Sequence, residues 1–243
     1  MVWVSTSLNI LLFHAEELGN DSELRLEDYR ARHLISVIGV EVGQSLRVGQ
    51  IDGQMGHGKV LAYGNDSVRL RVTLSESPIA RHKLSLILAL PRPKMLRRIF
   101  RTAAEFGVRD IHLIHSYRVE KSFWQSPLLQ PARIYDALIQ GLERSGDTLL
   151  PRVTTHPRFK PFIEDVLPSI AAQKSLFIAH PDPDAGVLSS HTEEGFVMIG
   201  PEGGFIPYEL EKAVEAGARM VTLAPRILSV DTAVCTALAQ SAL

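Results

Sequence analysis

The sequence predicts an α/β protein in two parts, a small β-rich module followed by a larger domain on a mostly parallel sheet. Three observations predict it. Residues 8–75 hold short, alternating apolar segments separated by turn signals. From Lys83 onward, nearly all-apolar strand segments alternate with helical ones, the pattern of a parallel sheet covered on both faces. Three of those strands, ending at Ala179, Ile199 and Leu223, run into unusual loops. Open α/β sheets bind ligands beyond the carboxyl ends of their strands. The best boundary is Ser75-Glu76-Ser77-Pro78, which gives a module over 1–78 and a domain over 79–243.

Composition narrows the class. At 45% hydrophobic and 22% charged residues, the chain is an ordinary globular protein with ample core. No apolar run approaches the roughly 20 residues that span a bilayer. The start, Met1-Val2-Trp3-Val4-Ser5-Thr6, shows no basic stretch followed by an apolar block, so no signal peptide is expected. Cys235 is the single cysteine, which excludes a disulfide scaffold and a cysteine-rich zinc site and points to a cytoplasmic protein. It lies in a small-residue helix and reads as packing. Net charge is −1, yet residues 81–160 sum to +9 while 161–243 sum to −7. A basic middle third in a neutral chain suggests a local anionic partner, with nucleic acid the first candidate.

In chain order, Leu24-Arg25-Leu26 reads as a strand before a short helix over 27–37, and Val42-Gly43-Gln44 as a turn. Ser45-Leu46-Arg47-Val48-Gly49 is a strand, and Asp52-Gly53 signals a hairpin. The next strand runs over 56–63, where His57, between glycines, reads as an exposed loop histidine. In 67–74, Val68, Leu70, Val72 and Leu74 fall on one face of a strand. Leu84-Ser85-Leu86-Ile87-Leu88-Ala89-Leu90 is a strand buried on both faces. A helix follows over 94–106. Its apolar stripe is Leu96, Ile99, Phe100 and Ala103. Lys94, Arg97, Arg98 and Arg101 line its other face at i, i+3, i+4, i+7 with no acid before Glu105, which favours phosphate contact over a plain solvated face.

Val108-Arg109-Asp110-Ile111-His112-Leu113-Ile114 is the second strand of this domain. Arg118 and Lys121 follow beside Phe123 and Trp124, an arrangement suited to phosphate contact and base stacking, although Trp124 also reads as core. Helices are expected over 131–144 and from about Phe162 to Ala172, with short strands at 151–153 and 175–179. In His180-Pro181-Asp182-Pro183-Asp184 a metal site competes with a rigid turn; two prolines and no further ligands favour the turn. Val197-Met198-Ile199 then enters Gly200-Pro201-Glu202-Gly203-Gly204, and a helix opens at Pro207, where a missing N–H costs nothing. This loop is either a tight βα turn or a set of N–H groups offered to a ligand. The last strand, 219–223, leads through Pro225-Arg226-Ile227-Leu228 to a helix capped by Asp231. No GxGxxG or GxxxxGK[ST] occurs, so neither a nicotinamide nor an ordinary nucleotide triphosphate site is supported.

Taken together, Met198-Ile199-Gly200-Pro201-Glu202-Gly203-Gly204-Phe205 with Glu209, and Leu223 through Ala233, resemble the C-terminal signature of the RsmE family. These are 16S rRNA uridine-N3 methyltransferases of the SPOUT superfamily. Leu88-Ala89-Leu90-Pro91-Arg92-Pro93-Lys94 resembles the family's "LALPKG", Glu105-Phe106-Gly107-Val108 its "ELGV", and Arg118 the arginine after the second strand. His33-Leu34 and Gly43 resemble its N-terminal module. The match covers almost the whole chain.

The resemblance implies a C-terminal trefoil-knotted SPOUT methyltransferase domain with a small N-terminal PUA-like β-barrel, the knot being a rare exception to chain topology. It implies S-adenosyl-L-methionine as cofactor, 16S rRNA or the small subunit as RNA partner, and a homodimer. Carried over by position, the cofactor-binding residues are His180, Ile199, Gly200, Pro201, Glu202, Gly203, Leu223, Ala224, Ile227, Leu228, Ser229 and Thr232, with Leu223, Ile227 and Leu228 as an apolar wall for the adenine. Arg92, Arg118 and Glu202 are the catalytic candidates, Glu202 either as base or, the favoured reading, as cap of the following helix. Lys94, Arg97, Arg98, Arg101, Arg118 and Lys121 are the RNA-binding candidates.

The chain departs from the family at Ala224, at Ser229 where the family has arginine, at Asp231 where it has glutamate, at Gln140, Arg144 and Asp147, and at Gly39. Loss of arginine at Ser229 removes a cationic fork that grips phosphate or substrate. A non-catalytic RNA-binding assembly factor, or a methyltransferase acting on tRNA, are the alternatives.

Overall fold

The computed structural model describes residues 9–242. The reading of residues 1–6 as free of a signal sequence lies outside them. The chain forms two units. One holds the chain through Ala80 together with Leu142–Leu150; the other holds Arg81–Gly141 and the chain from Pro151. A single boundary near Pro78 leaves 142–150 in the larger domain, whereas its contacts are with the smaller unit.

The smaller unit contains β1 (Leu11–Phe13), β2 (Glu23–Leu26), α1 (Tyr29–His33), β3 (Ser45–Gln50), β4 (Met55–Tyr63) and β5 (Val68–Glu76). Its sheet runs β1-β3-β4-β5-β2, with β1 parallel to β3 and the other pairs antiparallel. Val68, Leu70 and Val72 are buried as their alternation requires, and Leu74 packs at the edge of the same core with Phe13, Leu24 and Leu34. A wider turn, Leu34–Ile38, continues α1 and ends at Gly39 with φ +67°, a left-handed conformation that an arginine there would strain. Arg30 joins Glu17 and Asp28. Burial opposes the charge of both acids, but Arg30's hydrogen bonds outweigh it and hold them below the usual carboxylate range. Thr148, fully buried, donates from Oγ1 to the Gly53 carbonyl at 2.7 Å, and Asp52 N donates back to the Thr148 carbonyl at 2.8 Å. These bonds fasten 142–150 to the β3–β4 hairpin. His57 lies on β4 and not in a loop, its side chain 60% exposed.

The larger unit contains β6 (Leu84–Ala89), α2 (Pro93–Glu105), β7 (Asp110–Ile114), α3 (Pro131–Ser145), β8 (Arg152–His156), α4 (Phe159–Pro161), α5 (Leu167–Ile170), β9 (Ser175–Ala179), β10 (Gly195–Ile199), α6 (Pro207–Glu215), β11 (Arg219–Val221) and α7 (Val230–Ser241), the last turn of α3 falling in the smaller unit. Its six strands run β11-β9-β10-β6-β7-β8, all parallel. Every residue of β6 and β10 is buried, as the continuous apolar runs predict. Leu96, Ile99, Phe100 and Ala103 of α2 are buried, each large one contributing roughly 1.5–3 kcal/mol. The helix expected up to Ala172 runs without a gap over 159–170, as α4, one wide turn over Phe162–Val166, and α5. Pro168 accounts for the wide turn before it, because it lacks the N–H that would bond back to Glu164, whereas Pro161 lies in the first turn, where a missing N–H costs nothing.

Register places the site. Ile199 pairs with both Ala179 and Leu88, and Val221 pairs with Ala179. The carboxyl ends of β6, β9, β10 and β11 therefore lie level, and their loops leave from one edge. No helix in the described residues is long and apolar enough to cross a membrane.

Candidate functional site

Three loops close around one cavity of about 110 Å³. Ala179, His180 and Pro181 come from the loop after β9. Ile199, Gly200, Pro201, Glu202, Gly204 and Phe205 come from the loop after β10. Thr222, Leu223, Ala224, Arg226, Ile227 and Leu228 come from the segment after β11, and Val230 and Ala233 from α7. These are the three loops that the strand ends single out in the sequence.

Each loop is held in shape by its own bonds. Gly204 N donates to the Pro201 carbonyl at 2.8 Å, closing a tight turn, and Gly204 adopts φ +72°, which suits glycine. Phe205 is 4% exposed and packs back on Gly200, whose missing Cβ makes room for it. His180 N donates to the Val221 carbonyl at 3.0 Å. Gln240 of α7 donates from Nε2 to the Leu223 carbonyl at 3.0 Å. The cavity wall is mostly apolar, and Ile227 stands 85% exposed at its edge. Arg226 also lines it and has no described acid partner.

Glu202 does not cap α6. Its Oε1 accepts from the Arg92 backbone N at 3.0 Å, with Arg92 Nε at 4.0 Å. It ties the loop after β10 to the start of α2. The capping role belongs to Glu209, which is 2% exposed. Its Oε2 accepts from Ile206 N at 3.0 Å and its Oε1 from Tyr117 N at 2.7 Å. A first-turn acid three residues after the cap position is the available signal, but Ile206 is not a usual cap residue, so the sequence does not choose between the two glutamates.

The cations fall into groups. Arg92 and Lys94 are exposed at the start of α2. Arg97 donates from Nη2 to Gln140 at 3.0 Å. Arg98 pairs with Asp231 at 2.9 Å. Arg101 is half-buried. The row on α2 is therefore not four equivalent free charges. Arg118 donates from Nη1 to the Gly203 carbonyl, and Lys121 is exposed three residues further on.

Three predicted cofactor residues lie off the cavity wall. Gly203 faces the Arg118 stem, a Cβ there meeting Arg118 Cδ at 2.9 Å. Ser229 and Thr232 bond to one another at 2.8 Å, and the Ser229 hydroxyl donates to Asp231 at 2.6 Å. The Ser229 bond first, and then the Arg98 pair, hold Asp231 below the usual carboxylate range. Ser229, not Asp231, is the cap position of α7, and Asp231 sits in its first turn. Val230 and Ala233, like Ala179, Pro181, Gly204, Phe205, Thr222 and Arg226, line the cavity outside the predicted set; for the α7 pair the i, i+3 spacing is the available sign. Cys235 is exposed, so the packing reading fails. Trp124 is neither plain core nor a free platform: its Nε1 donates to His115 Nδ1 at 3.0 Å, which leaves the His115 proton on Nε2. No group of three or more His, Cys, Asp or Glu suited to a metal occurs among the described residues.

Comparison with known proteins gives a consistent result. The profile of the RNA methyltransferase domain family matches residues 77–242. A ribosomal RNA small subunit methyltransferase E from Treponema pallidum is 29% identical over 96% of this chain and 90% of its own. One from Mycobacterium bovis is 24% identical over 94% of this chain and 89% of its own. Among solved structures, a ribosomal RNA small subunit methyltransferase E from Neisseria gonorrhoeae bound to S-adenosyl methionine superposes with TM-score 0.76 at 21% identity, covering 95% of each chain. A probable rRNA-methyltransferase from Porphyromonas gingivalis gives TM-score 0.74 at 22% identity, covering 94% of this chain and 95% of its own.

Proposed function

The chain belongs to the RNA methyltransferase family, and from that premise we propose that it methylates small-subunit ribosomal RNA at N3 of a uridine, with S-adenosylmethionine as methyl donor. The observation that carries this reading is the convergence of three strand-end loops on one largely apolar cavity at the edge where α/β sheets bind ligands.

The residues present fit the cofactor. Leu223, Ile227 and Leu228 offer an apolar face for an adenine, and the exposed Ile227 side chain has surface to lose on binding. Backbone groups of Gly200–Gly204 suit its polar atoms, and Arg226 suits a carboxylate. When bound, S-adenosylmethionine supplies an electrophilic methyl group. The chain supplies position and charge. Arg92, Lys94 and Lys121 attract phosphates, and Arg118 braces the loop through Gly203. Glu202, whose second carboxylate oxygen has no described partner, is our candidate for accepting the N3 proton.

The finer architecture is part of the proposal. We read the larger unit as a trefoil-knotted SPOUT domain. The segment after β9 runs back along β11, where Thr222 N donates to Gly186 O at 3.0 Å and Leu188 N to Thr222 O at 3.0 Å. The chain then returns as α7 against β10 and α2. That path supports a knot. The smaller unit is read as PUA-like on the strength of its five-stranded sheet, and the active form as a cytoplasmic homodimer by the family resemblance.

The test uses small-subunit rRNA from a strain lacking the native enzyme. After incubation with protein and cofactor, nucleosides are separated by mass spectrometry. N3-methyluridine is expected. Its absence while the cofactor binds overturns the uridine assignment, and a mark found only in tRNA moves the substrate there.

A further inference from the structure

The turn that follows β7 is held more firmly than an exposed loop needs to be. Val119 N donates to the Ser116 carbonyl at 3.0 Å, which puts Tyr117 and Arg118 at the two central positions of a tight turn. Ser116 is fully buried. Tyr117 N is bound by the buried Glu209 carboxylate at 2.7 Å, and Arg118 Nη1 by the Gly203 carbonyl. His115, just before the turn, receives the Trp124 indole N–H at 3.0 Å. The backbone is fixed on both sides, yet the Tyr117 side chain is left out, with the residue 77% exposed.

An exposed tyrosine is ordinary by itself. Here the turn is bolted to the loop after β10, which lines the cavity, through Gly203, and to the start of α6, which follows that loop, through Glu209. A rigid aromatic ring with two side-chain torsions loses little entropy when it is covered. Arg118 and Lys121 are its near cations, and Glu120 is the one acid in residues 115–126. A flat apolar face among cations beside the cavity matches a nucleobase on a single-stranded backbone.

Resting on the reading above, we propose that Tyr117 is a positioning residue for substrate RNA, stacking on an unpaired nucleobase at the mouth of the site. Its ring supplies contact area; Arg118 and Lys121 supply the charge.

The test compares Tyr117→Ala, Tyr117→Leu and Tyr117→Phe with the native chain. Binding of a fluorescent single-stranded RNA oligonucleotide is measured across a salt series, alongside KM and kcat for rRNA, cofactor affinity, melting temperature and sedimentation. Tyr117→Ala and Tyr117→Leu should each weaken RNA binding and raise the RNA KM by about tenfold or more, and Tyr117→Phe should stay within about twofold of native. Stacking releases no counterions, so the slope of log K against log salt should not change. Cofactor affinity and melting temperature should hold. Native RNA affinity in Tyr117→Ala or in Tyr117→Leu overturns the proposal. So does a fall in cofactor affinity or melting temperature to match the RNA loss, which marks a structural role, or a shift in sedimentation, which marks a contact between copies. A native chain that binds RNA but transfers no methyl refutes the enzymatic reading alone, because the binding series still reports on Tyr117. A native chain that binds no single-stranded RNA overturns the stacking proposal.

Discussion

Glu209 shows how one buried charge organises the site. It is 2% exposed and accepts two backbone N–H groups, one from Tyr117, 92 residues away in sequence, and one from Ile206 at its own helix start. Removing it strands both donors, and hydrogen bonds to a charged group are worth roughly 1.5–3 kcal/mol each. Glu209→Ala should therefore lower the denaturant midpoint sharply, and Glu209→Gln less so, since one acceptor oxygen survives. A native-like midpoint in Glu209→Ala would remove this residue from the account. The residue scale is also where sequence reading fell short. Arg98 and Asp231 pair across 133 residues, with no local sign of it. Around Cys235, small residues on every side of α7 leave no contrast from which to read the buried face. Glu202 and Glu209 differ only in which backbone N–H groups fold next to them.

At the scale of elements, the apolar runs of β6 and β10 and the stripe of α2 were legible because a parallel sheet demands them. The wide turn over Phe162–Val166 was not, because apolar periodicity continues through Pro168 while the ordinary hydrogen-bond spacing does not. Close approach of α3 to α2 depends on Gly141, where a Cβ would meet the Arg101 carbonyl oxygen at 2.5 Å. Gly141→Ala should cost about 1–3 kcal/mol through overpacking, read as a lower melting temperature. Between β7 and β8, His112 Nδ1 and His156 Nε2 lie 3.1 Å apart, with Phe162 and Phe196 beside His112. Burial first, and then His156, push His112 from 6.5 down to about 4; Asp110 works against this and Arg152 adds to it. The unfolded chain thus binds the proton more readily. Stability is full above about pH 6.5 and falls as pH drops toward 4, by up to about 3 kcal/mol. Urea unfolding at pH 7 and pH 4.5 should show this loss, and His112→Phe should flatten it. An equal acid loss in that variant would assign the effect elsewhere.

For the whole molecule, the two-part organisation and the parallel sheet follow from patterning, and the convergence of three strand-end loops follows from register. The return of Leu142–Leu150 to the smaller unit was not legible, because it rests on Thr148 and Asp52 finding partners across 95 and 98 residues. The charge asymmetry keeps its meaning, although Arg98 is spent on Asp231 and Arg97 on Gln140. The central claim is that the three loops form a cofactor site. Calorimetric titration of the native chain and of Ile227→Glu with S-adenosylmethionine tests it most directly. Ile227 is 85% exposed, so this variant should fold normally while placing a carboxylate in the apolar wall. The expected result is saturable binding of one cofactor per native chain and clearly weaker binding in Ile227→Glu. No binding by the native chain, or equal binding by both, would contradict it.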